Sequence, residues 1–504
     1  MNKKVNKAIK NYKKNLSKRL ENINEKSLKP MFTGVAIHPE LSEKGMAISC
    51  GGIGLVHNLM NTFEFPKLIN NKLKIFKIHK PYFESDHILN IMYNFLCGGT
   101  CIEDIELLRN SVPYMNAVGA LRIPDPTTAG DFLRRFGEED IQRLMDTMNE
   151  MSRRVFAHTL KDSDRNYGII DIDGKIQETY GECKEKMDIS YKGEWGFSTL
   201  LLTEAKTGVH IGVVNRPGNA LSQEGADKEL DKAAEELSKT FDKLCFRGDS
   251  AFSLTHKFDE WTGQGIDFIF GYDRHQNLLK IAENLPENEW ERLNKKEETF
   301  KKERKKKAGV KAEQVIKRRY KTKTQKEAYV GEFSYRPTKC ENEYRVIVVK
   351  KLLEITEGQE LLFDDYEKMY LFYITNITDM DAVELVEFIH GRCNHENKIE
   401  QMDNGIHGLK MPAAEFLANW AYMIIAAMSW NIKSYLGLLL PDKSCGRRII
   451  ACEFKSFQNM LVNIPCLILN KGRQIVYRYL DCSQWIETVF ALFDVLKQLR
   501  LSRA

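Results

Sequence analysis

Asp171 and Asp173, in the run GIIDIDG, are the first residues whose spacing can do chemistry. Strand side chains alternate with period two, so both aspartates point to one face. Gly174 is expected to end that strand and leave Asp173 at its rim. Asp249 closes a second short run, KLCFRGD, and Glu396 lies in GRCNHENKIEQ, at the start of a helix or within one. Three carboxylates brought together raise one another's pKa unless cations neutralise them. Hard oxygen ligands suit Mg²⁺ or Mn²⁺. Two such ions about 3.5 to 4 Å apart activate a water or a 3′-hydroxyl and stabilise the leaving oxygen of an in-line phosphoryl transfer. Carboxylates are common, so the triplet draws its value from its order: strand end, strand end, helix.

The elements that must position these groups follow from periodicity. From Glu84 to His158 the pattern is helical, with Ile88, Ile91, Met92 and Phe95 at helical spacing and Gly98 and Gly99 as a stop. PDPTTAGDFLRRF then sets Phe132, Leu133 and Phe136 on one face beside Arg134 and Arg135. This cluster reads as a helix-turn-helix lying on DNA or as a helical cap on the next domain. At Tyr167 the period changes to strands, with Gly208 turning a hairpin between GFSTLLLTEA and GVHIGVVNRPG. An amphipathic helix follows over Gln223 to Phe241, then the strand ending at Asp249, a helix from Ser253 to Thr262, and the strand GIDFIFGY. The order β-β-β-α-β-α-β is that of an α/β, ribonuclease-H-like core. The expected organisation is a basic segment over 1–30, a helical DNA-binding region over 31–160, and core segments at 165–275 and 381–440. A basic, β-rich insertion occupies 276–380, and a helical C-terminal region runs from 441 to 504.

The 504 residues carry 75 Lys and Arg against 70 Asp and Glu, a net +5 that is unevenly placed. Basic runs lie between Lys3 and Lys29 and between Lys295 and Lys326, the second including KKERKKK and KRRYKTK. One such run reads as a solvated face; two favour a polyanion partner. Eleven cysteines without a framework read as reduced thiols, and Cys97 and Cys101 lack a zinc spacing. No signal-like apolar region follows the basic N-terminus, and the stretch from Ala418 to Trp430 is too short to span a bilayer. The expected place is the cytoplasm, with no membrane partner.

Further motifs carry a resemblance: DIDGK, GECKEKMDISYKGEWGF, VNRPGNALSQEGA, RGDSAF, FIFGYD, RPTKCENEYRVIVVKK, YLFYITN, RCNHENKIEQ and ANWAYMIIAAMSWNIK, in that order from about Pro124 to Leu440. In these the chain resembles the DDE transposases of bacterial insertion sequences, in the YREK group, and most of all the insertion-sequence family numbered thirteen-eighty. The resemblance implies a ribonuclease-H-like catalytic domain with a β-rich insertion, an N-terminal DNA-binding region and Mg²⁺-dependent cut-and-paste transposition at a bacterial nucleoid. The partners it implies are the terminal inverted repeats and target DNA, with a homodimer in the synaptic complex. It makes Asp173, Asp249 and Glu396 the triad. Asp173 is preferred because related transposases place the carboxylate before Gly or Ser, with Asp171 as runner-up or supporting group. Arg392, one helical turn before Glu396, matches the Arg of the group and would grip a phosphate.

Three positions depart from the pattern. The Lys expected seven residues after Glu396 is Asp403, the Tyr three before Arg392 is Ile389, and Lys175 follows Gly174 where Thr is common. Lys398 or Lys410 standing in, or a partly degenerate copy, are both open readings. Two rival functions follow. One is a DNA-binding relic without turnover. The other is a haloacid-dehalogenase-type phosphatase with Asp171 as nucleophile, Asp173 as acid/base and Asp364 and Asp365 as an acidic metal motif. His395 reads as a helix-surface residue. Trp195 reads as a buried aromatic, with stacking on an unpaired base as the alternative.

Overall fold

The computed structural model describes residues 3–21, 46–79, 81–179, 181, 183–293, 321–357, 360–361, 367–472, 474–480 and 484–501. The first basic run is therefore outside the described residues beyond Glu21, the second as far as position 320, and Asp364 and Asp365 lie outside them too. The strands are β1 (Ala47–Ile48), β2 (Tyr167–Glu178), β3 (Asp188–Ile189), β4 (Trp195–Glu204), β5 (Val209–Val214), β6 (Lys243–Gly248) and β7 (Asp267–Tyr272), followed by β8 (Glu291–Arg292), β9 (Lys321–Tyr335), β10 (Tyr344–Glu357), β11 (Glu360–Leu361), β12 (Glu367–Thr375), β13 (Cys466–Lys471) and β14 (Gln474–Tyr479).

Among the described residues, eleven strands form one mixed sheet, ordered β3-β4-β2-β6-β7-β12-β10-β9-β8, with β5 also on β4 and β11 on β10. β2, β6 and β7 run parallel, whereas β4 and β5 are antiparallel additions joined through Gly208 at φ +70°. The strands of the 276–380 segment do not form a separate layer. β12 pairs with β7, and β10 and β9 carry the same sheet outward.

Apolar alternation sorts the faces. Ile170, Ile172, Phe246, Phe268 and Phe270 are buried on one side, in the core that also takes Ala226, Leu230 and Leu237 of the helix Ala226–Leu237. The helix stops short of Phe241, which is buried beyond its end. The helix read from Ser253 shortens to Phe258–Gly263. On the other side Cys245, Ile269, Ile347 and Val349 pack against Leu385, Val386 and Ile389 of the helix Ala382–His390.

A 24-residue helix, Phe416–Leu439, lies almost wholly buried along β5 and also packs on Glu84–Leu96, Pro126–Leu133 and Glu138–Thr159. It seals the strand edge. Asn431 Oδ1 accepts from His210 N at 2.8 Å while its Nδ2 donates to His210 O, and the Trp420 and Trp430 indoles donate to the Val213 and Gly208 carbonyls. An exposed edge invites strand pairing, and here side chains satisfy it. Among the described residues, no helix is long and apolar enough to cross a membrane.

The C-terminal region departs from expectation. It holds helices but also the hairpin β13–β14, which joins β1 in a three-stranded sheet. Its Leu and Ile residues fit helical spacing, but Gly472 at φ +62° turns CLILNKGRQIVYRY back on itself.

Candidate active site

β2 carries the first carboxylates, and Gly174 does not end it. The strand runs on to Glu178, paired with β4 throughout. The parallel neighbour β6 stops instead, at Gly248, and frees one side of β2 at the level of Asp173. In that ladder Asp171 pairs with Arg247, so the same register two residues on sets Asp173 beside Asp249. Asp249 is still extended (φ −78°, ψ −174°), and its Oδ1 accepts from Ala251 N at 3.0 Å to start a short 3₁₀ turn. Gly271 on β7 permits that turn, because a Cβ there would stand 2.8 Å from Ser250 N and 3.1 Å from the Asp249 carbonyl carbon.

The two aspartates of β2 share a face but not an environment. Asp171 is 1% exposed and forked by the Arg247 guanidinium, with Nε to Oδ1 at 2.7 Å and Nη2 to Oδ2 at 3.0 Å. Arg247 also donates Nη1 to the Phe388 carbonyl at 2.6 Å and so ties the end of Ala382–His390 to the sheet. Asp173 is partly exposed. Its Oδ1 accepts from Gly174 N at 2.7 Å and its Oδ2 from Arg392 Nη1 at 3.2 Å.

Arg392 caps the helix Cys393–Glu400, which carries Glu396; the Glu396 side chain lies outside the described part of the structure. Arg392 thus reaches one of the expected triad carboxylates. His395, read as a surface residue, is fully buried, with Nδ1 2.6 Å from Thr203 Oγ1 and Nε2 3.2 Å from Leu201 O. Burial, and after it the Lys398 ammonium, hold its imidazole well below the ordinary pKa. The backbone is therefore pinned to β4 one residue before Glu396. Lys175, two residues beyond Asp173, donates to Asp403 Oδ2 at 2.6 Å, so two of the three departures from the family pattern meet each other. The third, Ile389, is buried in the core under Ala382–His390.

Trp195, expected to be buried, is 54% exposed at the start of β4, near exposed Ile189 and Tyr191. Sequence reasoning passed over Arg247. Laying the two parallel strands side by side, IIDID against CFRGD, would have set it opposite Asp171. Nothing in the spacing of Thr203 and His395 announces their contact.

Among the described residues, no three His, Cys, Asp or Glu side chains converge closely enough to hold a metal ion. Asp173 and Asp249 nonetheless offer partly open hard oxygen donors, the first beside the Arg392 guanidinium, and such donors suit Mg²⁺ or Mn²⁺.

No curated protein sequence matches the chain. Among solved structures it is similar to a piggyBac transposase, seen by cryo-electron microscopy in a synaptic complex with hairpin DNA, with 9% identity and a TM-score of 0.37 over 90% of this chain and 82% of that one. The family model described as transposase DDE domain group 1 matches residues 39–501, so the chain belongs to that family of DDE transposases.

Proposed function

We propose that this transposase binds the terminal inverted repeats of its own bacterial insertion sequence, cuts both ends and joins the freed 3′-hydroxyls to target DNA, acting as a homodimer at synapsis in the cytoplasm. The observation that carries this reading is the parallel register of β2 and β6, which continued two residues brings Asp173 level with Asp249 just past the end of β6, next to the helix that Arg392 caps and that bears Glu396. The strand order β5-β4-β2-β6-β7, with three parallel members, supports a ribonuclease-H-like core. Asp173, Asp249 and Glu396 would hold Mg²⁺ or Mn²⁺. The ions would supply Lewis-acid activation of the attacking oxygen and charge stabilisation at the leaving one.

The remaining work belongs to the chain. Arg392 sits at Asp173, where a scissile phosphate must lie, and its planar fork suits a phosphate oxygen pair. Asp171 acts through Arg247, which fixes the approach of the Arg392 helix. Buried and forked as it is, Asp171 is not presented as a nucleophile, which argues against the phosphatase reading.

Cleavage of a labelled duplex carrying the element end, in Mg²⁺ or Mn²⁺, tests the proposal. The wild type should cut, and Asp173→Asn, Asp249→Asn and Glu396→Gln should bind without cutting. End binding with no cutting by any protein, wild type included, would favour the DNA-binding relic.

A further inference from the structure

We infer that Lys175 is the second phosphate-gripping cation of this site, held in place by Asp403; the inference rests on the transposase reading above. The same two residues look like defects in sequence. Asp403 stands where a cation belongs, and Lys175 stands beside the first carboxylate of the triad. In the structure they form one ion pair, Nζ to Oδ2 at 2.6 Å, with the lysine side chain 28% exposed and the aspartate 14%.

Strand alternation puts Lys175 on the face of Asp171 and Asp173, about 7 Å beyond Asp173 along β2. Asp403 comes from the turn of helix after Cys393–Glu400, the element that would carry the expected lysine. The positive charge has thus moved from helix to strand while staying at the same junction. An ammonium has three N–H donors, so the bond to Asp403 leaves two for a phosphate oxygen. Asp403 Oδ2 takes the ammonium while its Oδ1 is buried without a hydrogen-bond partner among the described residues, so the ion pair is the contact that fixes this carboxylate.

Lys398 is placed to do something else. Its Nζ approaches Ala205 O at 3.5 Å, at the far end of β4, four residues beyond Leu201, which pairs with Asp173. Arg392 and Lys175 then flank Asp173, one from each side of the helix–sheet junction, and Asp403 is a positioning residue.

The test compares wild type with two double variants, each of which removes the partly buried ion pair as a whole: K175T/D403N, which has no cation at the junction, and K175T/D403K, which returns the cation to the helix. Readouts are unfolding midpoint, cleavage rate on the labelled end duplex, and the salt dependence of end binding. With folding intact, K175T/D403N should cut about tenfold more slowly or worse, the scale of one lost charged hydrogen bond. Its salt slope should fall by about one phosphate contact. K175T/D403K should recover most of both. If K175T/D403N folds, cuts and responds to salt like the wild type, the inference is overturned and the transposase reading survives. If K175T/D403N is slow but K175T/D403K is equally slow, Lys175 is not a relocated cation and the inference also fails. A wild type that neither binds nor cuts overturns the transposase reading, and the inference with it.

Discussion

Replacing Asp171 by Asn separates a positioning role from a metal-binding one. The Asp171–Arg247 pair is almost dry, with side chains 1% and 6% exposed, so water cannot take over when one partner is lost. Breaking a buried ion pair from one side costs about 3 to 5 kcal/mol, because the other charge stays buried and uncompensated. Asn keeps one acceptor for the guanidinium, which puts the expected loss near the lower end, about 3 kcal/mol. Arg247 also holds the Phe388 carbonyl, four residues before Arg392, so the strain should reach the site and slow cutting as well. A companion variant, Asp171→Leu with Arg247→Met, removes both charges at similar volume and should return to within about 2 kcal/mol of wild type, the remainder reflecting the orphaned Phe388 carbonyl. Urea unfolding gives the stabilities and the end-cleavage assay gives the activity. If Asp171→Asn shifts stability by less than about 0.5 kcal/mol yet abolishes metal-dependent cutting, the bidentate pair is not what Asp171 is for, and Asp171 belongs among the ligands.

Two further outcomes are expected. Gly271→Ala drives a Cβ into the backbone at Ser250 and Asp249, so it should cost about 1 to 3 kcal/mol and depress cutting without weakening end binding; normal cutting would show that the Asp249 turn tolerates displacement. Stability should also fall in mild acid. Burial, joined by the Lys398 and Lys433 ammoniums, lowers the His210 pKa to about 3; burial, opposed by Glu84 and aided by Arg135, lowers His87 to about 4, against 6.5 unfolded. Because the folded values are depressed, this stability is present above pH 6.5 and is lost as pH falls below it, by about 2.5 kcal/mol for the pair between pH 7 and 5.5. His210→Gln should remove its own share of the acid loss, about 1.2 kcal/mol between pH 7 and 5.5, in urea titrations, and an unchanged slope would discard His210 as a contributor.

The strands that bear the carboxylates were legible because alternation is a local signal. GIIDIDG and KLCFRGD read correctly as strands, and Gly208 as their neighbour's turn. The end of β2 was misread because a glycine in a strand resembles a stop until its partner is known, and β4 supplies ladder partners on both sides of Gly174. What escaped was non-local. Arg247 facing Asp171 needs the two parallel strands laid side by side, and His395 reaching Thr203 and Lys175 meeting Asp403 join residues far apart in the chain that no spacing encodes. Lys175 and Asp403 are the sharpest instance, since judged singly each is an oddity and judged together they neutralise one another. The β13–β14 hairpin was lost for the opposite reason, because Leu and Ile satisfy both periods and only Gly472 discriminates.

The return of β12 onto β7 also has a meaning for how this chain can vary. Phe372 pairs with Tyr272 and Thr375 with Ile269, so the polypeptide re-enters the sheet on the rung beside the one it left. Everything between those rungs is a detour whose two ends are clamped by the sheet itself. Each doubling of a loop's length costs only about 0.6 kcal/mol in closure entropy, so the connections between its strands can change length cheaply. The strands of this stretch are not free to vary in the same way, because Ile347 and Val349 pack on the helix Ala382–His390 that leads to Arg392. Variation in length therefore belongs to the connections between these strands, while the strands themselves brace that helix.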